Sequence, residues 1–204
     1  MFISKSFYLL EPLNMFLSET MLKNLLNKIE KLRNGELEGF KILKEHIQSL
    51  DEFQYQQIID RLKFQIEIVE KYNPKVRPAI DPVVSTELGI YRRLDDFEVG
   101  KLLDYPECCI KSFVEEVRIS IDRDHLKEVE EMRDDLKNKG VYAIVLPSGF
   151  IPCSLRCEEA IKRGYIGYLN KEEFDKILEL EKELKEKIRH WHFGYEDYYE
   201  KIIL

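Results

Sequence analysis

The chain has 204 residues, of which 44% are hydrophobic and 11% aromatic, a composition that supports a buried core and argues against extensive disorder. Its net charge of −7 argues against strong electrostatic binding to nucleic acid or to an anionic membrane surface. Charged residues reach 35% of the chain, and this Lys- and Glu-rich style is similar to that of hyperthermophile proteins with surface ion-pair networks.

The first residues are apolar, but they do not follow the pattern of a signal peptide. Glu11 and Pro12 interrupt the apolar run, and no small-residue cleavage site follows it. Elsewhere, no stretch of about 18 uncharged apolar residues predicts a membrane span. We therefore expect a cytoplasmic protein that does not associate with a membrane.

Helical periodicity dominates the first third of the chain. Apolar residues recur at helical spacing in three successive segments, each bounded by capping or breaking residues. The predicted helices cover residues 18–34, 37–50 and 51–72. Their apolar stripes are typical of core packing rather than of a cofactor site.

Prolines mark the next segment. Pro74, Pro78 and Pro82 oppose a regular helix, so we expect residues 75–90 to be extended. The chain is therefore divided into an N-terminal helical part (1–73), a proline-containing extended linker (74–93) and a cysteine-site part (94–204). One continuous domain is the alternative.

Short elements are predicted in the last part, for a mainly helical α+β fold with one short strand or small sheet. A helix is expected to end near Leu103, and Pro106 and Pro152 are each expected to begin a helix that carries two cysteines. The strand is predicted from its β-branched residues and its flanking Gly140 and Pro147. The remaining predicted elements are a helix at 124–139, the strand at 141–146, a long helix from Asn170 and a short helix at 195–204.

All four cysteines fall into two tight pairs, Cys108-Cys109 and Cys153 with Cys157. In a reducing cytosol, clustered cysteines are more often metal ligands or redox groups than structural disulfides. We predict that the four share one metal- or cofactor-binding site. Adjacent helical residues lie about 100° apart, so Cys108 and Cys109 are expected to need an irregular backbone or a site larger than one ion. Alternatively, one of this adjacent pair is spare and leaves an open coordination position.

Two cofactors fit this pattern. An iron–sulfur cluster needs thiolates without hairpin spacing, whereas zinc usually draws on two Cys-x₂₋₄-Cys hairpins. Such a site could belong to an enzyme that modifies nucleotides, RNA or peptides. Three alternatives stay open: a binding or scaffold protein with disulfide-bonded or buried cysteines, a thiol-redox protein, and a single nucleophilic cysteine.

Basic residues and histidines near these segments carry weaker signals. A cation beside a thiolate-rich site can neutralise it or receive an anion, and the candidates for this role are Arg92, Arg93, Lys111 and Arg156. We expect His190 and His192 to be structural rather than metal ligands, and His46 and His125 to face solvent.

Both cysteine segments carry a family resemblance. Residues 103–113 fit the pattern Tyr-Pro-x-Cys-Cys-x-x-x-Phe, and residues 152–158 fit Pro-Cys-Ser-x-x-Cys. Together they resemble an uncharacterised, largely archaeal family, the domain of unknown function numbered 483, over roughly residues 88–166. The resemblance implies that the four cysteines belong together and implies no activity. Asp104 stands where related sequences often have glycine, which argues against a tight glycine turn there.

Overall fold

The computed structural model describes residues 17–116, 120–189 and 197–204, with side chains from residue 21 onward. Several predictions concern residues outside these ranges. They are the interrupted apolar leader before residue 17, the end of the first cysteine helix at Val117, and the histidines His190 and His192.

Within the described ranges the chain forms ten helices and a three-stranded sheet, which confirms the mainly helical α+β class. In chain order the elements are α1 (Leu17–Asn34), α2 (Lys41–Ser49), α3 (Glu52–Tyr72), α4 (Pro82–Leu88), α5 (Ile90–Arg93), α6 (Asp96–Leu102), α7 (Glu107–Glu116), α8 (Arg123–Asn138), β1 (Ala143–Pro147), α9 (Glu158–Lys162), β2 (Gly167–Leu169), α10 (Lys171–Lys187) and β3 (Tyr199–Ile203). No helix in the described part of the chain is both long and apolar enough to cross a membrane.

The first three helices pack together much as their apolar stripes predict. Asp51 caps α3 through a capping box, and Asn73 ends it in the left-handed conformation. The second helix begins at Lys41, four residues later than predicted. Gly39 and Phe40 explain the delay, because their φ angles of 94° and 48° lie outside the helical region.

The proline-rich segment is extended only in its first half. From Pro82 the chain is helical, so the prediction of an extended segment through residue 90 is wrong there. Pro82 occupies the first helical turn, where no backbone donor is needed, and the Asp81 carboxylate accepts the N–H groups of Val83 and Val84. Upstream, the Gln65 amide holds the segment against α3. The domain division proposed at this segment stays a prediction.

The sheet has the strand order β2-β1-β3, with both pairings antiparallel. The predicted strand is present as β1, and all five of its residues are buried. The predicted final helix is wrong, because the chain end forms β3 instead. A buried central strand needs hydrogen-bond partners along both edges, and β2 and β3 supply them.

Two hydrophobic clusters lie on either side of this sheet. One is built by α1, α3 and α10 with the buried proline segment, and the other joins β1 to α8, α9 and the cysteine loops. Ile144 and Leu146 face the second cluster, whereas Ala143 and Val145 face the first. Tyr105, just before the first cysteine pair, packs against both clusters, so the cysteines lie at their junction.

Candidate metal centre

The first cysteine pair lies in the opening turn of α7. Pro106 precedes the helix, and its carbonyl accepts the N–H groups of Cys109 and Ile110 at 2.9 and 3.0 Å. The backbone is helical here and the two sulfurs still lie near each other, so the irregular backbone that we considered for an adjacent pair is not present. Whether the site holds more than one ion stays a prediction. Helical side chains lean towards the N-terminus, and at the open end of a helix no earlier turn separates them.

A tight turn positions this helix. Asp104 adopts the left-handed conformation with a φ of 58°, so the turn forms although the residue is not glycine. The Lys28 ammonium lies 2.6 Å from the Asp104 carboxylate and donates to the carbonyls of Lys101 and Leu102 at 3.0 and 2.9 Å. Lys28 therefore binds the carbonyl end of α6 and the Asp104 carboxylate together.

The carbonyl of Leu103, in the same turn, accepts two buried donors. The Tyr165 hydroxyl donates at 2.5 Å and the Arg77 guanidinium at 3.3 Å. Arg77 is only 2% exposed and stacks over the Tyr165 ring at 4.4 Å. A buried arginine that is stacked on an aromatic ring and bound to this carbonyl fixes the approach to the cysteine helix.

The second cysteine pair lies on a loop, and the prediction that a helix carries Cys153 and Cys157 is wrong. Cys157 is extended, at φ −61° and ψ 106°, and only precedes α9. Side chains take up the backbone groups that a helix would have paired. The Ser154 hydroxyl accepts the N–H of Arg156, and the Glu128 carboxylate accepts the N–H of Leu155 at 2.6 Å.

Helix α8 and strand β2 clamp this loop. His125 is 1% exposed, against the prediction that it faces solvent, and its Nε2 lies 2.9 Å from the Pro152 carbonyl oxygen. The Tyr168 hydroxyl donates to the Leu155 carbonyl at 2.7 Å. The residue after His125, Leu126, is 50% exposed, so the buried position on this turn of α8 belongs to the histidine.

The four sulfur atoms converge within 4.8 Å of one another. Cys109 Sγ lies 3.7 Å from both Cys153 Sγ and Cys157 Sγ, and Cys108 Sγ lies 3.6 Å from Cys157 Sγ. All four are free thiols in this structure. Cys109 is buried, Cys108 is exposed, and the other two are half-buried, so the cluster lies where the interior meets the surface.

The surroundings act differently on the individual thiols. Burial raises the pKa of Cys109 well above its usual range and raises the pKa of Cys153 to about 12. Burial also acts to raise the pKa of Cys157, but the Ala160 backbone N–H and the neighbouring thiols outweigh it, and the net shift is downward. A bound cation would favour the thiolate form at every sulfur, because its positive charge replaces the stabilisation that water gives to an exposed thiolate.

The basic residues near the cysteines are placed in other contacts. Lys111 pairs with Glu107 at 3.1 Å, and Arg156 pairs with Glu131 at 2.8 Å. Arg93 folds back towards the Leu88 carbonyl at 3.4 Å, and Arg92 is exposed. Their predicted role at the site stays a prediction, since the structure shows them in these other surroundings.

Sequence comparison connects this geometry to a family. The family described as "Protein of unknown function (DUF483)" matches residues 62–185, a span that includes both cysteine pairs and the α8 clamp. The chain belongs to this family.

Two archaeal relatives extend the match. An uncharacterised protein of Methanocaldococcus jannaschii is 88% identical over 184 residues, which cover 90% of this chain and 100% of that protein. An uncharacterised protein of Methanothermobacter thermautotrophicus is 49% identical over 184 residues, covering 90% of this chain and 98% of that protein. No solved structure matches the chain.

If the cysteines bind a metal ion, we predict that His125→Ala weakens that binding by about 10- to 100-fold, the usual effect of losing an outer group that orients metal ligands. The substitution leaves the buried Pro152 carbonyl without its partner beside Cys153. Leu126→Ala on the same helix is the matched control, because its side chain is half exposed. Competition with a zinc indicator measures both affinities, and equal values would show that the histidine does not position the loop.

Proposed function

We propose that this protein binds one tetrahedral Zn²⁺ ion through Cys108, Cys109, Cys153 and Cys157, and that the ion fastens the start of α7 to the loop before α9. The observation that carries the proposal is the spacing of the sulfurs. Zinc–thiolate bonds of 2.3 Å at tetrahedral angles place ligand sulfurs about 3.8 Å apart. Three of the sulfur–sulfur distances are 3.6, 3.7 and 3.7 Å.

The same spacing favours a single ion over an iron–sulfur cluster. In a cluster, thiolates bound to different irons are separated by those irons and the bridging sulfides, so they lie farther apart than ligands sharing one ion. Here no pair of sulfurs is more than 4.8 Å apart. A set of four thiolates is also the preferred environment of zinc among divalent metals, with a single iron as the related alternative.

Four protein ligands favour a structural role. Catalytic zinc sites usually keep one position for water or substrate, whereas structural sites are closed by four side chains. The cluster supplies four, and the loops that carry them are held by Lys28, Arg77, His125 and Glu128. Such supporting contacts are typical of a site that is organised before the ion arrives.

Metal uptake by the reduced protein tests the proposal. Wild type should bind one zinc per chain, and Co²⁺ in its place should give the visible absorption of a tetrahedral tetrathiolate site. Each Cys→Ser variant should lose affinity, whereas Glu107→Gln should not, because it alters an exposed neighbour of Cys108 on the same turn. Parallel loading with iron, with and without sulfide, separates a single ion from a cluster.

A thiol–disulfide protein is the competing outcome. The sulfurs are close enough for oxidation, which would shorten a separation of 3.6 Å to the 2.05 Å of a disulfide. If the reduced wild type takes up no metal and titrates as two disulfides after mild oxidation, the zinc proposal is wrong and the redox function replaces it.

A further inference from the structure

A cavity of about 80 Å³ lies directly beside the cysteine cluster, between α6 and α7. Its floor is buried and includes Cys109 and Gly100. The two helices are in close contact here, since a Cβ atom added to Gly100 would lie 2.5 Å from Ile110. The volume is roughly half of the ~150 Å³ of a cavity that binds benzene, so it suits a compact group of about three heavy atoms.

Three aromatic side chains and one carboxylate distinguish this cavity from an ordinary packing gap. Tyr105 and Phe113 are half-buried, whereas Tyr91 and Asp96 are exposed, which places them at the mouth. The Tyr105 ring is held by the Phe150 ring at 4.8 Å, so part of the wall is fixed before any ligand arrives. Aromatic faces attract cations, and their apolar area also favours methyl groups over water.

We propose that this cavity binds a methylated ammonium group, with the aromatic rings around its methyl groups and Asp96 facing its positive charge. A trimethylammonium head carries three methyl groups, about the number of heavy atoms that the cavity holds, and spreads its charge over them, which matches the aromatic and apolar lining. A strongly hydrated ion such as Na⁺ gains little from apolar walls, and a neutral group of the same shape lacks the charge attraction to the carboxylate.

The neighbouring metal centre adds to this attraction. Four thiolates around one divalent ion carry two net negative charges, and Cys109 is both a proposed ligand and part of the cavity wall. That contribution rests on the proposed zinc, whereas the contributions of the rings and of Asp96 do not. Metal content must therefore be measured in every preparation used to test the cavity.

Titration calorimetry with choline chloride and with 3,3-dimethylbutan-1-ol tests the charge requirement, because the alcohol replaces the choline nitrogen by carbon and is neutral. Choline should bind at least ten-fold more tightly than the alcohol. Equal affinities would overturn the proposal, as would the absence of choline binding by folded protein at tens of millimolar.

Two pairs of variants locate the binding. Tyr91→Leu and Asp96→Asn should each weaken choline binding at least three-fold, in line with the loss of one cation–π or charge contact. Both positions are exposed, so the fold should tolerate the changes. The matched controls are Phe97→Leu, another exposed aromatic residue on α6, and Asp124→Asn, an exposed acid in the first turn of α8. If the controls weaken binding as much as the cavity variants, with equal metal content, the cation is bound elsewhere.

Discussion

Removal of the metal should lower the free energy of unfolding by about 4 kcal/mol when free zinc is held a thousand-fold above its dissociation constant. The ion would join α7 to the loop before α9, two segments more than forty residues apart in the chain, so the folded state alone provides all four ligands. Denaturant unfolding with and without a chelator measures the loss. Metal analysis should first confirm that the ion has been removed. An unchanged denaturant midpoint of unfolding would then contradict a stabilising role.

Single cysteine variants should lower the free energy of unfolding by different amounts. Cys109→Ser should cost nearly the whole amount, because Cys109 is 1% exposed and its replacement buries a hydroxyl among apolar neighbours. Cys108→Ser should cost less, because Cys108 is exposed and water can take its place in the coordination sphere. The chelator should then have little further effect on Cys109→Ser. A larger loss in Cys108→Ser would show that the exposed thiolate dominates the site.

The sequence predicted the helices whose ends carry strong local signals. Asp51, Asp95 and Asn170 each form a capping box at the start of a predicted helix. The short strands were harder to predict. β2 has only three residues, and the sequence of β3 does not alternate clearly between apolar and polar residues, so it is also compatible with a helix. Both strands form because they pair with the buried β1. Pairing across the fold is a long-range effect that local patterns do not contain.

The clustering of the four thiols was predicted from the sequence, but the residues that hold the two cysteine segments in place were not. The two cysteine motifs identified all four thiols, and proline placed the first pair at a helix start. The loop conformation of Cys153 to Cys157 depends on Glu128 and Tyr168, which are brought there by α8 and β2. Nothing in the local sequence distinguishes these two residues, or the buried Arg77, from ordinary surface side chains.

Replacement of Arg77 should have the other large effect. Arg77→Ala should destabilise the fold by about 3 kcal/mol, because it removes a fully buried side chain and leaves a cavity between two tyrosine rings. Arg77→Met should cost much less. Methionine keeps most of the side-chain volume. It also removes a buried guanidinium whose Nε has no hydrogen-bond partner in the described structure. Removing that buried charge offsets the loss of the hydrogen bond to the Leu103 carbonyl.

Zinc affinity separates the positioning role of Arg77 from simple packing. The Leu103 carbonyl lies four residues before the start of α7, so loss of its arginine donor should loosen the turn that presents Cys108 and Cys109. We expect both Arg77→Ala and Arg77→Met to weaken zinc binding about ten-fold, although only the alanine variant is strongly destabilised. Arg133→Ala, at an exposed arginine of α8 with no proposed role at the site, is the matched control and should change neither quantity. Wild-type zinc affinity in Arg77→Met would show that Arg77 acts through packing alone, because the methionine keeps the volume and loses only the hydrogen bond and the charge.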